Sequence, residues 1–257
     1  MTDQTMLVPL TPDVEAELDR LARRHRAARG LGMQVLDLIG GQVENLLERL
    51  PDRVKTRLEG ATTEALKVAL SAAGRSRGVV PDSSAWFTRA LTTAMGAAGG
   101  AGGLPTALAE LPLTVTVLLR AIQTVAEEHG IDPETEEGRA ECLKVFAAAG
   151  PMEADNATDF TMLAARVTLT GATVQGVLAR IAPRLATALG QKLAAQTVPV
   201  LGAVAGAATN YLYTSYYQEM AAVHFGLLRL ARESGVASED LTTALRARLE
   251  RRSVRTS

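Results

Sequence analysis

The chain has 257 residues, of which 47% are hydrophobic and only 4% aromatic, and its 27 Lys and Arg nearly balance 28 Asp and Glu. That composition excludes a disordered chain and provides no global basic field for nucleic acid. Abundant Ala with few aromatics argues against a β-sandwich and for close helix–helix contact. Cys142 is the only cysteine, so there is no disulfide framework and no cysteine-based zinc site. The start, MTDQTMLVPLTPD, lacks a basic n-region and a long apolar run, so no secretory signal is expected and a cytoplasmic location is the default.

Helix signals recur along the chain. Thr11 reads as an N-cap with Pro12 at the first helical position. This helix is expected to end at Gly30, a C′ residue, and a second is expected from about Met33 to Leu50, before Pro51. A third runs from Asp52 to about Ala73, with Val54, Leu58, Ala61, Ala65, Val68 and Ala72 on one face. GRSRGVVPDSS reads as a loop, and Trp86 and Phe87 open another helix. The glycine cluster Gly96–Gly103 follows, with Gly99 and Gly103 four apart. From Pro105 the pattern is helical to His129, with a kink or break at Pro112. Beyond Pro112, Thr116, Arg120, Gln123 and Glu127 form one stripe, and Leu118, Ile122, Val125 and Ala126 lie on the other side.

Asp132-Pro133-Glu134 reads as the cap of a helix that reaches Ala149, before Gly150-Pro151. Three or four helices fill Asp155–Tyr217, and two more lie around Gln218–Ser234 and Ser238–Arg252. Within this part, Leu193–Gln218 contains no charge and is long enough to span a bilayer. Its Ala, Gly, Val and Thr, with Pro199, Gln196 and Asn210, suit close packing better than lipid exposure. Gly202 and Gly206 stand one above the other on a helical face, the spacing that lets two backbones touch. No segment alternates with period two. The expected fold is therefore all-α, a single compact multi-helix domain with closely packed Ala/Gly-rich central helices, roughly nine to twelve in number.

Few residues invite chemistry. Glu110 and Arg120 are the only charges between Arg89 and Glu127, and charges in so apolar a stretch are usually paired. A buried network of Glu110, Arg120 and Glu141 is expected. It either fixes helix register or supplies an acid, a base or an Arg for a lipid phosphate. His25, His129 and His224 show no metal-ligand spacing, so no metal site is expected. His224 reads as a hydrogen-bonded core or rim residue and Cys142 as a small core residue. The cluster GAAGGAGG lacks the Gly-Lys-Ser/Thr of a phosphate loop. Arginines gather at both ends: Arg20, Arg23, Arg24, Arg26 and Arg29, then Arg246, Arg248, Arg251, Arg252 and Arg255. They complement the macrodipoles of two helices that start acidic. They also make Arg23, Arg24, Arg26, Arg248, Arg251 and Arg252 candidates for contact with an anionic surface.

Several stretches resemble the EcsC family of bacterial proteins. They are LDLIGGQVENLLERLP (Leu36–Pro51), LPTALAELPLTVTVLLRAI (Leu104–Ile122), ECLKVFAAAG (Glu141–Gly150) and AAQTVPVLGAVAGAATNYLYTSYYQEMAAVHF (Ala194–Phe225). The likeness covers residues 33–233, leaving an N-terminal helical extension, 1–32, and a C-terminal basic helix and tail, 234–257. The family name comes from a companion of an ABC transporter. The resemblance implies a cytoplasmic protein, peripheral on the inner face of the membrane, and brings no catalytic residues with it. It marks Glu110, Pro112, Arg120, Glu141, Gln196, Pro199, Gly202, Gly206, Asn210, Tyr211 and His224 as candidates for a shared site without roles. The expected function is a non-catalytic, lipid-interacting accessory protein without cofactor. Its partners would be membrane lipid or an apolar ligand, and a membrane protein such as a transporter, but not nucleic acid. The alternatives are an enzyme acting on a lipid-like substrate and a helical protein-interaction scaffold.

Overall fold

The computed structural model describes residues 10–39, 60, 67, 114–146, 176 and 202–253. Five helical segments carry nearly all of them: α1 (Pro12–Ile39), α2 (114–128), α3 (Glu136–Phe146), α4 (Gly202–Ser234) and α5 (Ser238–Ser253). No strand occurs among the described residues, and the fold is all-α.

The helix ends are set by local chemistry. The Thr11 carbonyl accepts from the Glu15 amide at 3.0 Å, so Thr11 is the N-cap and Pro12 the first helical residue. α2 ends in a Schellman turn: Gly130 has φ 73°, its amide donates to Glu127, and the Ile131 amide reaches back to Ala126. The guanidinium of Arg232, from α4, donates to the carbonyls of His129 at 2.8 Å and Gly130 at 3.1 Å. It thereby supplies both hydrogen bonds and positive charge to the C-terminus of α2. α4 ends at Gly235, φ 70°, whose amide donates to Ala231.

Three expectations are corrected here. α1 does not stop at Gly30 but runs through it to Ile39. Gly30 lacks the positive φ of a C′ residue, and an interior glycine costs a helix only about 1 kcal/mol. Ala28 and Leu31 on either side pack into the core and hold the helix on course. α4 likewise passes unbroken from Tyr217 to Gln218, where neither Gly nor Pro interrupts it. The cap of α3 is Thr135, not Asp132. Thr135 Oγ1 accepts from the Gly138 amide at 3.0 Å, while Asp132 Oδ1 accepts from the Glu134 amide in a preceding Asx turn.

That turn explains Gly138. A Cβ there would sit 2.0 Å from the Asp132 carbonyl oxygen and 3.0 Å from the Pro133 Cα. Backbone cannot yield as a side-chain tip does. Gly138→Ala is therefore expected to destabilise by about 1–3 kcal/mol or more despite alanine's better helix propensity. A urea midpoint equal to or above that of the parent chain would refute the close approach.

α4 is the central helix. From Tyr213 to Leu227 every residue except Glu219 is buried. α1 runs antiparallel along one side, since Glu17 pairs with Arg229 at 3.4 Å and Arg24 with Glu219 at 3.0 Å. The helices cross closely at Gly226, where a Cβ would lie 2.6 Å from Leu21 Cδ2. One core joins α2, α3 and α4 through Leu119, Ile122, Leu143, Phe146, Tyr216, Tyr217 and Phe225. A second joins α1, α4 and α5 through Leu18, Leu21, Val223, Leu227, Leu241 and Leu245. Arg248 adds an ion pair from α5 to Asp19 of α1 at 3.0 Å, an exposed contact of small energetic weight. α2 is enclosed over most of its length, with Val115, Leu118, Leu119, Ile122 and Ala126 in the first core. Its polar stripe is not a solvent face throughout: Gln123 is buried, Thr116 and Arg120 half-buried, Glu127 exposed.

Candidate functional site

The described residues bring one set of ionisable side chains together in the interior. Glu141 and Lys144 lie three apart on α3, hence on one face, and Lys144 Nζ donates to Glu141 Oε1 at 2.5 Å. α4 brings His224, distant in the chain, to the other oxygen: His224 Nε2 lies 2.7 Å from Glu141 Oε2. The three side chains are only 6%, 16% and 9% exposed for Lys144, Glu141 and His224. The His224 ring meets Phe225 edge-on at 5.2 Å, and Phe146 stacks on Tyr217 at 5.2 Å.

The electrostatics follow from this enclosure. Burial pushes the Glu141 carboxyl up, but the hydrogen bond and charge of His224, then those of Lys144, outweigh it and hold the group below its ordinary value. Glu141 is thus a carboxylate, which can only accept, so the proton between it and His224 sits on Nε2. Both oxygens of Glu141 are engaged. The arrangement ties α3 to α4 and orients the imidazole through its Nε2.

Among the described candidates, Asn210, Tyr211 and Arg120 do not bind Glu141. Asn210 is buried on α4, and its carbonyl accepts from Thr214 Oγ1 at 2.9 Å. Its neighbour Tyr211 turns away and is 42% exposed. Arg120 lies on α2, and the partners of Glu141 among the described residues are Lys144 and His224 instead. Glu110, Gln196, Gly99 and Gly103 lie outside the described residues, as do Pro112 and Pro199. Gly202 and Gly206 form the first turns of α4, whose packing is also outside them. Among the arginines, Arg24 pairs with Glu219 and Arg248 with Asp19, Arg23 is exposed and Arg26 half-exposed. Arg251 and Arg252 end α5, and their side chains are outside the description.

Two other histidines are buried. His129 Nδ1 donates to the Val125 carbonyl at 2.7 Å. Burial and the charges of Arg29 and Arg26 push His25 down to about 4. Sequence reasoning missed Lys144, Gly138, Gly226 and Arg232. Lys144 carried a usable signal, its i, i+3 spacing from Glu141 on one helix. Gly226 and Arg232 had none, because each acts on a distant segment, whereas Gly138 meets the turn just before its own helix.

The family model of the EcsC protein family matches residues 42–230. The chain belongs to the EcsC family. No curated protein and no solved structure matches it. The EcsC match contains α2, α3, Glu141, Lys144 and His224. It leaves out α1 and α5, which pack against the end of α4 through the second core. Among the described residues of this EcsC protein, no helix is long and apolar enough to cross a membrane, and no cluster of His, Cys, Asp and Glu could hold a metal ion.

Proposed function

We propose that this EcsC-family chain is a non-catalytic accessory protein that lies on an anionic membrane surface and works beside a membrane partner such as a transporter. One observation carries the reading: five arginines fall within Arg20–Arg29 on α1, a helix packed on one side against α4 and open to solvent on the other. Basic side chains held near an anionic surface contribute about 1 kcal/mol each, enough in combination for reversible attachment. Screening over about 8 Å at physiological salt makes that attachment salt-sensitive.

The expected result is flotation with vesicles of mixed phosphatidylcholine and phosphatidylglycerol at low salt, lost at high salt and absent with phosphatidylcholine alone. Failure to float with either would remove the membrane reading and leave a helical protein-interaction scaffold. Attachment that resists high salt would point instead to apolar insertion.

A second reading, an enzyme acting on a lipid-like substrate, draws on the His224–Glu141 pair. A carboxylate that fixes the tautomer of a histidine is a recurrent element of acid–base sites. In this chain the pair is buried and shares its carboxylate with Lys144, which favours an ion cluster that holds two helices together.

A further inference from the structure

Not all the arginines of α1 have the same work. Arg20 donates to Glu17 at 2.6 Å, and Arg24 pairs with Glu219 at 3.0 Å. From neighbouring helices, Arg229 pairs with Glu17 and Arg248 with Asp19. At the other end of the chain, Arg246 is held by Glu250 at 2.9 Å. Glu17 and Asp19 in the first half of α1 are thereby paired, Glu17 with Arg20 and Arg229 and Asp19 with Arg248. Arg23 and Arg26 make no ion pair among the described residues.

These two residues belong to one strip. Arg23, Arg26, Ala27 and Gly30 follow the i, i+3, i+4, i+7 pattern of a single helix face. Arg23, Ala27 and Gly30 are exposed and Arg26 half-exposed. Ala27 and Gly30 add almost no height, and a Cβ built on Gly30 meets nothing within 4 Å. The two guanidinium arms on this exposed strip suit contact with phosphate, because the planar fork of Arg matches phosphate bidentately.

Resting on the membrane reading above, we infer that the contact with membrane phosphate groups is made by Arg23 and Arg26 on this strip of α1 rather than by the paired arginines of α1 and α5. The contact then lies on a helix outside the family match, and so belongs to this chain's own N-terminal segment.

The test compares two double variants that lose the same charge. Arg23→Gln/Arg26→Gln removes the strip, and Arg20→Gln/Arg246→Gln removes two paired cations. Both are checked for parental far-UV circular dichroism and then floated with 3:1 phosphatidylcholine:phosphatidylglycerol vesicles at low salt. Partition of the strip variant is expected to fall by roughly tenfold or more, given the contribution of each basic residue near an anionic surface. The paired variant should stay within about twofold of the parent, since its cations are already engaged. Equal loss in both variants, or no loss in the strip variant, would overturn the assignment while leaving the membrane reading intact. If the parent chain does not float at all, both fall. Retention on an acidic protein or nucleic acid without flotation would assign the strip to a different polyanion, and also overturns it.

Discussion

Glu141→Ala is expected to destabilise the protein by about 3–5 kcal/mol, because it leaves the other members of a buried charge cluster without their acceptor. Lys144 and His224 are 6% and 9% exposed, so water cannot readily replace the lost carboxylate. Glu141→Gln should cost less. It retains an oxygen for the His224 N–H but not the charge opposite Lys144. Replacing both Glu141 and Lys144 with leucine should restore part of the loss, since removing a whole buried pair avoids its desolvation. Urea unfolding at neutral pH measures all three, with stability read at unchanged m. A Glu141→Ala penalty below about 1 kcal/mol would mean that the cluster is solvated, and would return Glu141 to consideration as an accessible acid. A double variant no more stable than Glu141→Ala would show that leucine cannot pack between α3 and α4.

Acid is expected to weaken the fold over a defined range, and His25 is the main cause. In the unfolded chain this histidine takes up a proton near 6.5, whereas in the folded chain it does so only at about 4. Between those values the unfolded state binds the extra proton, so stability falls as the pH falls. The slope approaches 1.4 kcal/mol per pH unit, and the accumulated loss is about 3 kcal/mol by pH 4. His129, also lowered by burial, acts in the same direction. Glu141 adds to the loss lower down: its stabilisation is present above the ordinary carboxylate value of 4.5 and disappears as the pH drops through its lowered folded value. His25→Gln should therefore flatten the profile between 6.5 and 4 while leaving the lower limb. Denaturation midpoints of both chains at several pH values test this. Parallel profiles would show that His25 does not titrate as a buried group. The geometry gives the reason to expect otherwise: His25 is 3% exposed and its helix carries Arg26 and Arg29 beside it.

What could be read from the sequence was local. Thr11 before Pro12, Gly130 after His129, and Ser238 at the head of an acidic turn all mark helix ends, because a cap is decided by hydrogen bonds within about four residues. The absence of period two and the supply of Ala and Leu settled the all-α class. The resemblance in Leu36–Pro51, Leu104–Ile122, Glu141–Gly150 and Ala194–Phe225 pointed to the family that the match over residues 42–230 then gave. The same local logic misplaced the end of α1. A glycine is only a weak stop, and packing of Ala28 and Leu31 outweighs its small cost.

Other features belong to the tertiary structure alone. A largely buried acid such as Glu141 needs a cation, but which cation depends on the helices that cross there. Arg120 is expected to pair with Glu110 or Glu141; for Glu141 the structure supplies Lys144 from the same helix and His224 from α4, while Glu110 lies outside the described residues. The same reasoning applies to Gly226. Its spacing is unremarkable beside that of Gly202 and Gly206, yet it meets Leu21 because α1 returns antiparallel along α4. Arg232 serves the end of α2, which no local rule connects to it. The division of the arginines is decided in the same way. Composition shows ten of similar appearance, and only the approach of Glu219, Asp19 and Glu17 separates those that hold helices together from those that face outward. A helix carries its own start and stop in short-range hydrogen bonds. Its partners are chosen by surfaces that meet only when distant segments have packed, and that information resides in no single stretch of the chain.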